Sequence, residues 1–374
     1  MIDFDHAAST AILPAIKAQY PALLEKYSGN AESMHQRGQQ LKQALQQLEN
    51  ELFSAILPQA SQVQRRVFFA DSATTLINAA GMILGSRKSR ALSSALDHPA
   101  AGKMIDRCFG RTELMPLDAA GRISGTLPEN REITFIYLTL LQSEIGVLQD
   151  VGTLMSKLRK MYPNAFIMAD AVQFAAFYSY SPEWMLPDAL LISGAKLGSG
   201  SGAALLVTGK HLGTFKKSFQ ALRKDHLIAR SDIVQAAALI RAAQTVQQTR
   251  RDAAAHVEQI NRFLRKKLQD AILPNQQKVI LTVPEIFAAG NILHLILPGY
   301  QSGVLVRMFS QKNILLASGS ACAAETDEPS RILTALKYSR SDSYSGLRLS
   351  FAPGNTIAQA EIFLQTLQEL LQEY

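Results

Sequence analysis

Cysteine is nearly absent from this chain: two residues, Cys108 and Cys322, in 374. Two thiols cannot build a disulfide framework or a four-sulfur metal site, so any interest they hold is chemical, and a reducing cytoplasm is the expected setting. Long hydrophobic runs are absent too. No stretch of about 18 consecutive apolar residues occurs, which leaves no candidate transmembrane helix. The opening Met1-Ile2-Asp3-Phe4-Asp5 is acidic and lacks a basic-then-apolar signal pattern, so export is not expected. Repeats, low-complexity segments and nucleic-acid-binding motifs are also missing. Charge is sparse, at 18% of residues, with a net excess of +7. That moderate basic balance suits an anionic cofactor, an acidic protein partner or nucleic acid. The densest basic patches, Arg250-Arg251 and Arg262 to Lys267, fall on one helical stretch and read as a solvated helix face.

What is present is core-forming material, 47% of the chain. The length suits one large and one smaller domain. Short apolar runs at Ile133–Leu138, Ala165–Ala169, Ala189–Ile192 and Ala203–Val207 read as buried strands. Helical patterns lie among them, over Asp71–Leu84, Pro99–Cys108 and Gly152–Met161. The alternation predicts an α/β fold with a mostly parallel sheet covered on both faces, which places ligands at the carboxyl ends of strands. Asp232–Gln269 reads as one long helix. A second αβ pattern follows, with strands at Val279–Val283, Ile292–Leu297 and Leu347–Ser350 and a short helix at Val304–Phe309. Thr356 and Gln359 form a capping-box pattern ahead of a last helix with Phe363, Leu367, Leu370 and Leu371 on one face.

Several residues stand where chemistry is done. Asp170 ends an apolar strand, where a carboxylate needs a cationic partner such as a protonated pyridine nitrogen, or else serves as an ordinary helix cap. Lys196, in Ser193-Gly194-Ala195-Lys196, follows another strand directly; a lysine there can form a Schiff base if burial lowers its pKa. Ser72-Ala73-Thr74 opens a helix, whose first N–H groups and hydroxyls suit an anion. His98 precedes a further helix. Ser318-Gly319-Ser320-Ala321-Cys322 puts a thiol on a small polar loop, a setting that fits a mobile nucleophile better than a buried apolar residue. Cys108 has no such setting and reads as structural. Arg348, in Gly346-Leu347-Arg348-Leu349-Ser350, offers a planar fork matched to a carboxylate.

In this order the motifs resemble those of the cysteine desulfurases, class V enzymes of fold type I that use pyridoxal 5'-phosphate (PLP). Asp3 to Thr10 resembles the opening L-D-x-A-A-T-T, and Asn30 to Gly38 resembles N-P-S-S-x-H-x-x-G. Phe69 to Thr74 resembles F-T-S-G-A-T. Asp97-His98 is similar to an E-H pair, Ser143 to Asp150 to N-E-I-G-x-x-Q-D, and Asp170 to Gln173 to D-A-x-Q. Ser193 to Lys196 is similar to S-G-H-K, and Ser318 to Cys322 matches S-G-S-A-C. Glu328 to Leu333 resembles E-P-S-x-V-L.

The resemblance implies a large domain over 11–250 with a mostly parallel sheet of seven-stranded type. It also implies a smaller α/β domain over 251–374, to which residues 1–10 return. It assigns Lys196 to hold PLP, Asp170 to meet the ring nitrogen and Gln173 the ring hydroxyl. His98 would stack on the ring and, with Lys196, take part in catalysis, and Ala73, Thr74, Ser193 and Ser143 would serve the cofactor. Arg348 and Ser143 would serve the substrate, L-cysteine, and Cys322 would take its sulfur. A homodimer and a sulfur-acceptor protein, an iron–sulfur scaffold or a thiolation carrier, are the implied partners; neither a membrane nor direct nucleic-acid binding is. Another class V enzyme, an aminotransferase or a selenocysteine lyase, and a non-catalytic homologue remain open.

Four departures bear on the site. Ala195 stands for a histidine that helps hold the cofactor phosphate. Ser143 stands for an asparagine. Gly198-Ser199-Gly200-Ser201-Gly202 replaces a G-P-K-G loop. The stretch 220–232 lacks an R-x-G-T segment, for which Arg230-Ser231 is the candidate substitute.

Overall fold

A computed structural model describes residues 1–130, 132–230, 232–319 and 328–374. The chain opens with β1 (Ile2–Asp3), α1 (Pro14–Tyr27) and α2 (Gln36–Ile56). Alternating elements follow: β2 (Arg65–Ala70), α3 (Ala73–Leu84), β3 (Arg90–Ser93), α4 (Pro99–Cys108) and β4 (Arg111–Leu114). Next come β5 (Ile133–Thr139), α5 (Val151–Met161), β6 (Phe166–Asp170), β7 (Ala189–Ser193), the single turn α6 (Gly194–Leu197) and β8 (Ala203–Thr208). Helix α7 (Leu212–Lys224) leads to the long α8 (Ile233–Leu268). The last part holds β9 (Ile280–Leu281), β10 (Ile292–Ile296), α9 (Ser302–Gln311), β11 (Ile314–Leu315), α10 (Arg331–Ala335), β12 (Gly346–Ser350) and α11 (Ile357–Glu373).

Seven strands form one sheet in the order β2-β8-β7-β6-β5-β3-β4. It is parallel apart from β8, which runs against both its neighbours. Strands β6, β7 and β8 are buried along their whole length, and their alternating side chains serve two cores. Ile136, Leu138, Ile167, Ala169, Leu190 and Leu206 pack under α1, α2, α5 and α8. Tyr137, Phe135, Phe166, Met168, Leu191 and Leu205 face α3, α4 and α7. An α/β fold with a mostly parallel, helix-covered sheet is thus observed.

A smaller antiparallel sheet, β12-β10-β9, has its own core with α9, α11 and the C-terminal part of α8. Strand β1 pairs in parallel with β11, and Phe4 is fully buried in this second core, its ring 5.6 Å from that of Phe351. The strand expected over Val279–Val283 shortens to Ile280–Leu281: it is an edge strand, paired only with β10, and Pro284 follows. The capping box at α11 is present, with Thr356 accepting from the Gln359 N–H and Gln359 from that of Thr356. His35 caps α2 by accepting from the Gly38 N–H at 3.3 Å, which gives the H-x-x-G spacing a structural use.

Candidate active site

Three adjacent parallel strands end in polar residues: β5 in Thr139, β6 in Asp170 and β7 in Ser193. Thr139 and Asp170 are register partners. Asp170 is buried and accepts from the Tyr137 hydroxyl at 2.7 Å and from the Val172 N–H at 2.9 Å. Burial raises its pKa above the usual carboxylate range, while those two hydrogen bonds and nearby His98 pull it back. Burial and Asp170 together push the Tyr137 hydroxyl well above its ordinary value, so it stays a donor.

A second carboxyl lies close by. Asp97 accepts from Thr139 Oγ1 at 2.6 Å and from the Ser94 N–H at 2.7 Å. Burial, countered by these hydrogen bonds, pushes it up to about 7. A carboxyl whose folded pKa lies above its unfolded value favours folding below the unfolded pKa of about 3.9, and this contribution is lost as pH rises through the folded value. The Asp97 backbone carbonyl receives the Arg331 guanidinium, which also reaches the Ala95 carbonyl.

His98 caps α4, its Nδ1 accepting from the Ala100 N–H at 3.2 Å. Burial pushes its pKa below the ordinary histidine value; Asp170 opposes this, while Lys196 and Arg331 add to it. Burial thus favours the neutral imidazole, which lies in the electrostatic reach of both Asp170 and Lys196.

Lys196 sits in α6, the turn that follows β7. The turn is tight: a Cβ on Gly194 would lie 2.1 Å from both Ser199 Oγ and Ser201 O, and Gly198 has φ +80°. These glycines aim the lysine back along the strand end, where Nζ donates to the Ala8 carbonyl. Gln173 Nε2 donates to the Ala7 carbonyl at 2.8 Å. Arg348 is 2% exposed; its Nη2 meets Asp5 Oδ1 at 2.6 Å and its Nη1 donates to the Ser143 carbonyl at 3.1 Å. Ala73 and Thr74 open α3, where first-turn N–H groups have no helical acceptor. The preceding Asp71 carboxylate accepts from Thr75 Oγ1 at 2.6 Å, which places a negative charge near that helix start.

Asp170, His98, Lys196, Gln173, Ser143 and Arg348 are thus tied together through shared partners and fields. Cys322, with Ser320 and Ala321, lies outside the described residues. The two flanks of its segment meet one group: Ser330 donates to Glu144, and a Cβ on Gly319 would lie 3.2 Å from Glu144 Oε1. Arg230 pairs with Glu32 at 3.2 Å, and Ser231 is outside the described residues. Cys108 packs against α3, and burial raises its thiol pKa, so it is a poor nucleophile. The sequence does not single out Tyr137 or Thr139: Tyr137 reads as an ordinary member of the apolar strand Ile133–Leu138, Thr139 lies just past its expected end, and only the register with β6 discloses their place.

The fit to PLP is good at the ring. A buried carboxylate served by neutral donors suits a cationic ring nitrogen, with a neutral imidazole and a lysine beside it. At the phosphate end the first-turn N–H groups of α3 and Ser193 suit an anion, while the Asp71 carboxylate at the same helix start opposes one.

A mostly parallel, helix-covered sheet with a lysine and an aspartate at adjacent strand ends is an arrangement that suits a PLP-binding α/β enzyme. A family model described as aminotransferase class-V matches residues 2–363, and the chain belongs to that family. Among similar relatives, the NifS/IcsS protein homolog of Lactobacillus delbrueckii subsp. bulgaricus is 23% identical over all of this chain and 98% of its own length. A putative cysteine desulfurase of Bacillus subtilis is 22% identical over 96% of each chain. The X-ray structure of a NifS-like protein from Rickettsia africae superposes with a TM-score of 0.79 at 20% identity, covering both chains fully. That likeness is one of fold. Among the described residues no helix is long and apolar enough to cross a membrane.

Proposed function

We propose that this protein is a PLP-dependent cysteine desulfurase that converts L-cysteine to L-alanine and leaves the sulfur as a persulfide on Cys322. The observation that carries the reading is the meeting of Lys196, Asp170 and His98 at the strand ends in a chain that also holds Ser318-Gly319-Ser320-Ala321-Cys322. The names of the relatives, NifS homolog and cysteine desulfurase, support it.

Asp170 would hold the ring nitrogen, Gln173 the ring hydroxyl, and the N–H groups of Ala73 and Thr74 with Ser193 the phosphate; Lys196 would be the covalent attachment. When bound, PLP supplies an electron sink for the substrate's α-carbon. Arg348 orients the substrate carboxylate beside Ser143. Lys196 Nζ takes the α-proton and returns a proton; the His98 ring beside it, with Nδ1 accepting from the Ala100 N–H, keeps its own proton on Nε2 and can donate a hydrogen bond there. The Cys322 thiolate attacks the substrate sulfur; the S–S bond forms as the Cβ–S bond breaks, and its electron pair ends in a C–H bond of alanine after protonation. By the same resemblance the protein works as a homodimer, in the cytoplasm, and hands its sulfur to an acceptor protein.

The test is the fate of L-cysteine with PLP-loaded protein. Alanine formed together with a persulfide supports the reading; a keto acid formed with an aminated cofactor would make the protein an aminotransferase instead.

Tyr137 makes a second prediction. Tyr137→Phe removes a donor from a buried carboxylate, so Asp170 takes up a proton more readily and is a poorer partner for a ring cation. PLP affinity by equilibrium dialysis is expected to fall about tenfold, the order of one hydrogen bond to a charged group. The loss should be larger at acid than at alkaline pH.

A further inference from the structure

The opening motif, Asp3 to Thr10, has no part in the chemistry above, yet it threads the site. Ile2 N donates to the Asn313 carbonyl and Phe4 N to that of Leu315, both at 2.8 Å. Phe4 is buried at 0% exposure against Phe351 and Phe363. Ser350 then clamps both sides of Asp5: its N–H donates to the Phe4 carbonyl at 2.7 Å, and its Oγ accepts from the Ala7 N–H at 2.8 Å. The Asp5 N–H donates to Asp3 Oδ1 at 2.8 Å. The backbone of Asp5 is therefore fixed on both sides, and its carboxylate reaches the Arg348 guanidinium at 2.6 Å.

Arg348 is held equally firmly. Its N–H and carbonyl are bonded to Ala317 at 2.8 and 3.2 Å, and Nη1 is bonded to the Ser143 carbonyl. Its register partner on β10 is His294, which burial and Arg348 push down to about 3; a neutral ring supplies no countercharge. Among the described residues Asp5 is the one carboxylate that ion-pairs with Arg348. A buried guanidinium without a partner is costly and tends to turn away.

We propose that Asp5 is a positioning residue: it fixes the plane of the Arg348 guanidinium so that the substrate α-carboxylate meets a preset fork. The inference rests on the reading of Arg348 as the carboxylate anchor. A fork already ordered loses little conformational freedom on binding, so the contribution lies in substrate affinity and not in the chemical step.

The experiment compares Asp5→Asn, Asp5→Ala, Asp5→Glu and Arg348→Ala in PLP-loaded protein, with KM and kcat for L-cysteine and, by calorimetry, Kd for the product L-alanine. Asp5→Asn is expected to raise KM and the alanine Kd by roughly tenfold or more, the range of a charge-assisted hydrogen bond, with kcat changed by less than about threefold. Asp5→Glu keeps the charge one methylene further out and should recover a substantial part of both; it also serves if Asp5→Asn does not fold. Unchanged or lower KM in the Asp5 variants, with a large rise in Arg348→Ala, would overturn the positioning role alone; lower KM would mean that Asp5 competes with substrate. An Arg348→Ala protein with wild-type KM would instead remove the anchor reading itself.

Discussion

Cys322→Ser is expected to abolish alanine release and persulfide formation together while leaving cofactor and substrate binding intact. Lys196, Asp170, His98 and Arg348 are untouched by the change. A serine hydroxyl is not ionised at neutral pH and attacks sulfur poorly, so the rate should drop by at least about a thousandfold. The measurements are alanine formed from cysteine with a reductant present, and mass spectrometry of the Cys322 peptide for an adduct of about 32 Da, one sulfur atom, as thiolate attack on sulfur requires. An aminotransferase would keep its amino-group chemistry in this variant. Alanine release that survives, or an adduct confined to Cys108, would sink the mechanism; Cys108 is a weak competitor because burial holds its thiol protonated.

Lys196→Ala should have an equally large effect by another route. The glycines of the turn leave one lysine aimed back at the strand ends, with its Nζ at the Ala8 carbonyl. Its removal takes away both the attachment point and the group that moves the α-proton, and turnover should fall by about a thousandfold or more, within the range for loss of a positioned acid–base group combined with a lost covalent step. PLP should still bind, because Asp170, Gln173 and the start of α3 remain. Borohydride treatment should fix the cofactor to the wild-type protein and not to the variant. Cofactor fixed to a different lysine would show that Lys196 has been misassigned.

The parts of the molecule that could be read in advance share one property: their signal is local. Strands β5 to β8 are short apolar runs bounded by polar residues, Asp170 ends β6 and Lys196 lies in the turn directly after β7, so fold class and the place of the candidate site follow from adjacent residues. Helix α1 was not legible, because Pro14 begins it and Pro21 lies inside it, a spacing that reads as broken chain. Strand β4, Arg111–Leu114, is a largely exposed edge and carries two charges in four residues. Tyr137 could not be told from its apolar neighbours until the register set its hydroxyl at Asp170. The Asp5–Arg348 pair spans 343 positions, beyond the reach of any spacing argument.

That long span has a consequence for how the protein is made. The seven-stranded sheet draws on residues 65–208 and one of its faces is covered by α8, so it can assemble once α8 has left the ribosome, since domains tend to fold from the N-terminus during synthesis. The segment that carries Asp5 is made 343 residues before its partner Arg348, and Ser350 follows later still. Until then Phe4 has no core to enter, because that core is built from α9, β12 and α11. Residues 1–10 must wait for that core with an apolar side chain exposed, and the site closes only once Arg348 and Ser350 have been made. Nascent chains stopped before Arg348 should therefore hold a formed sheet and no carboxylate anchor.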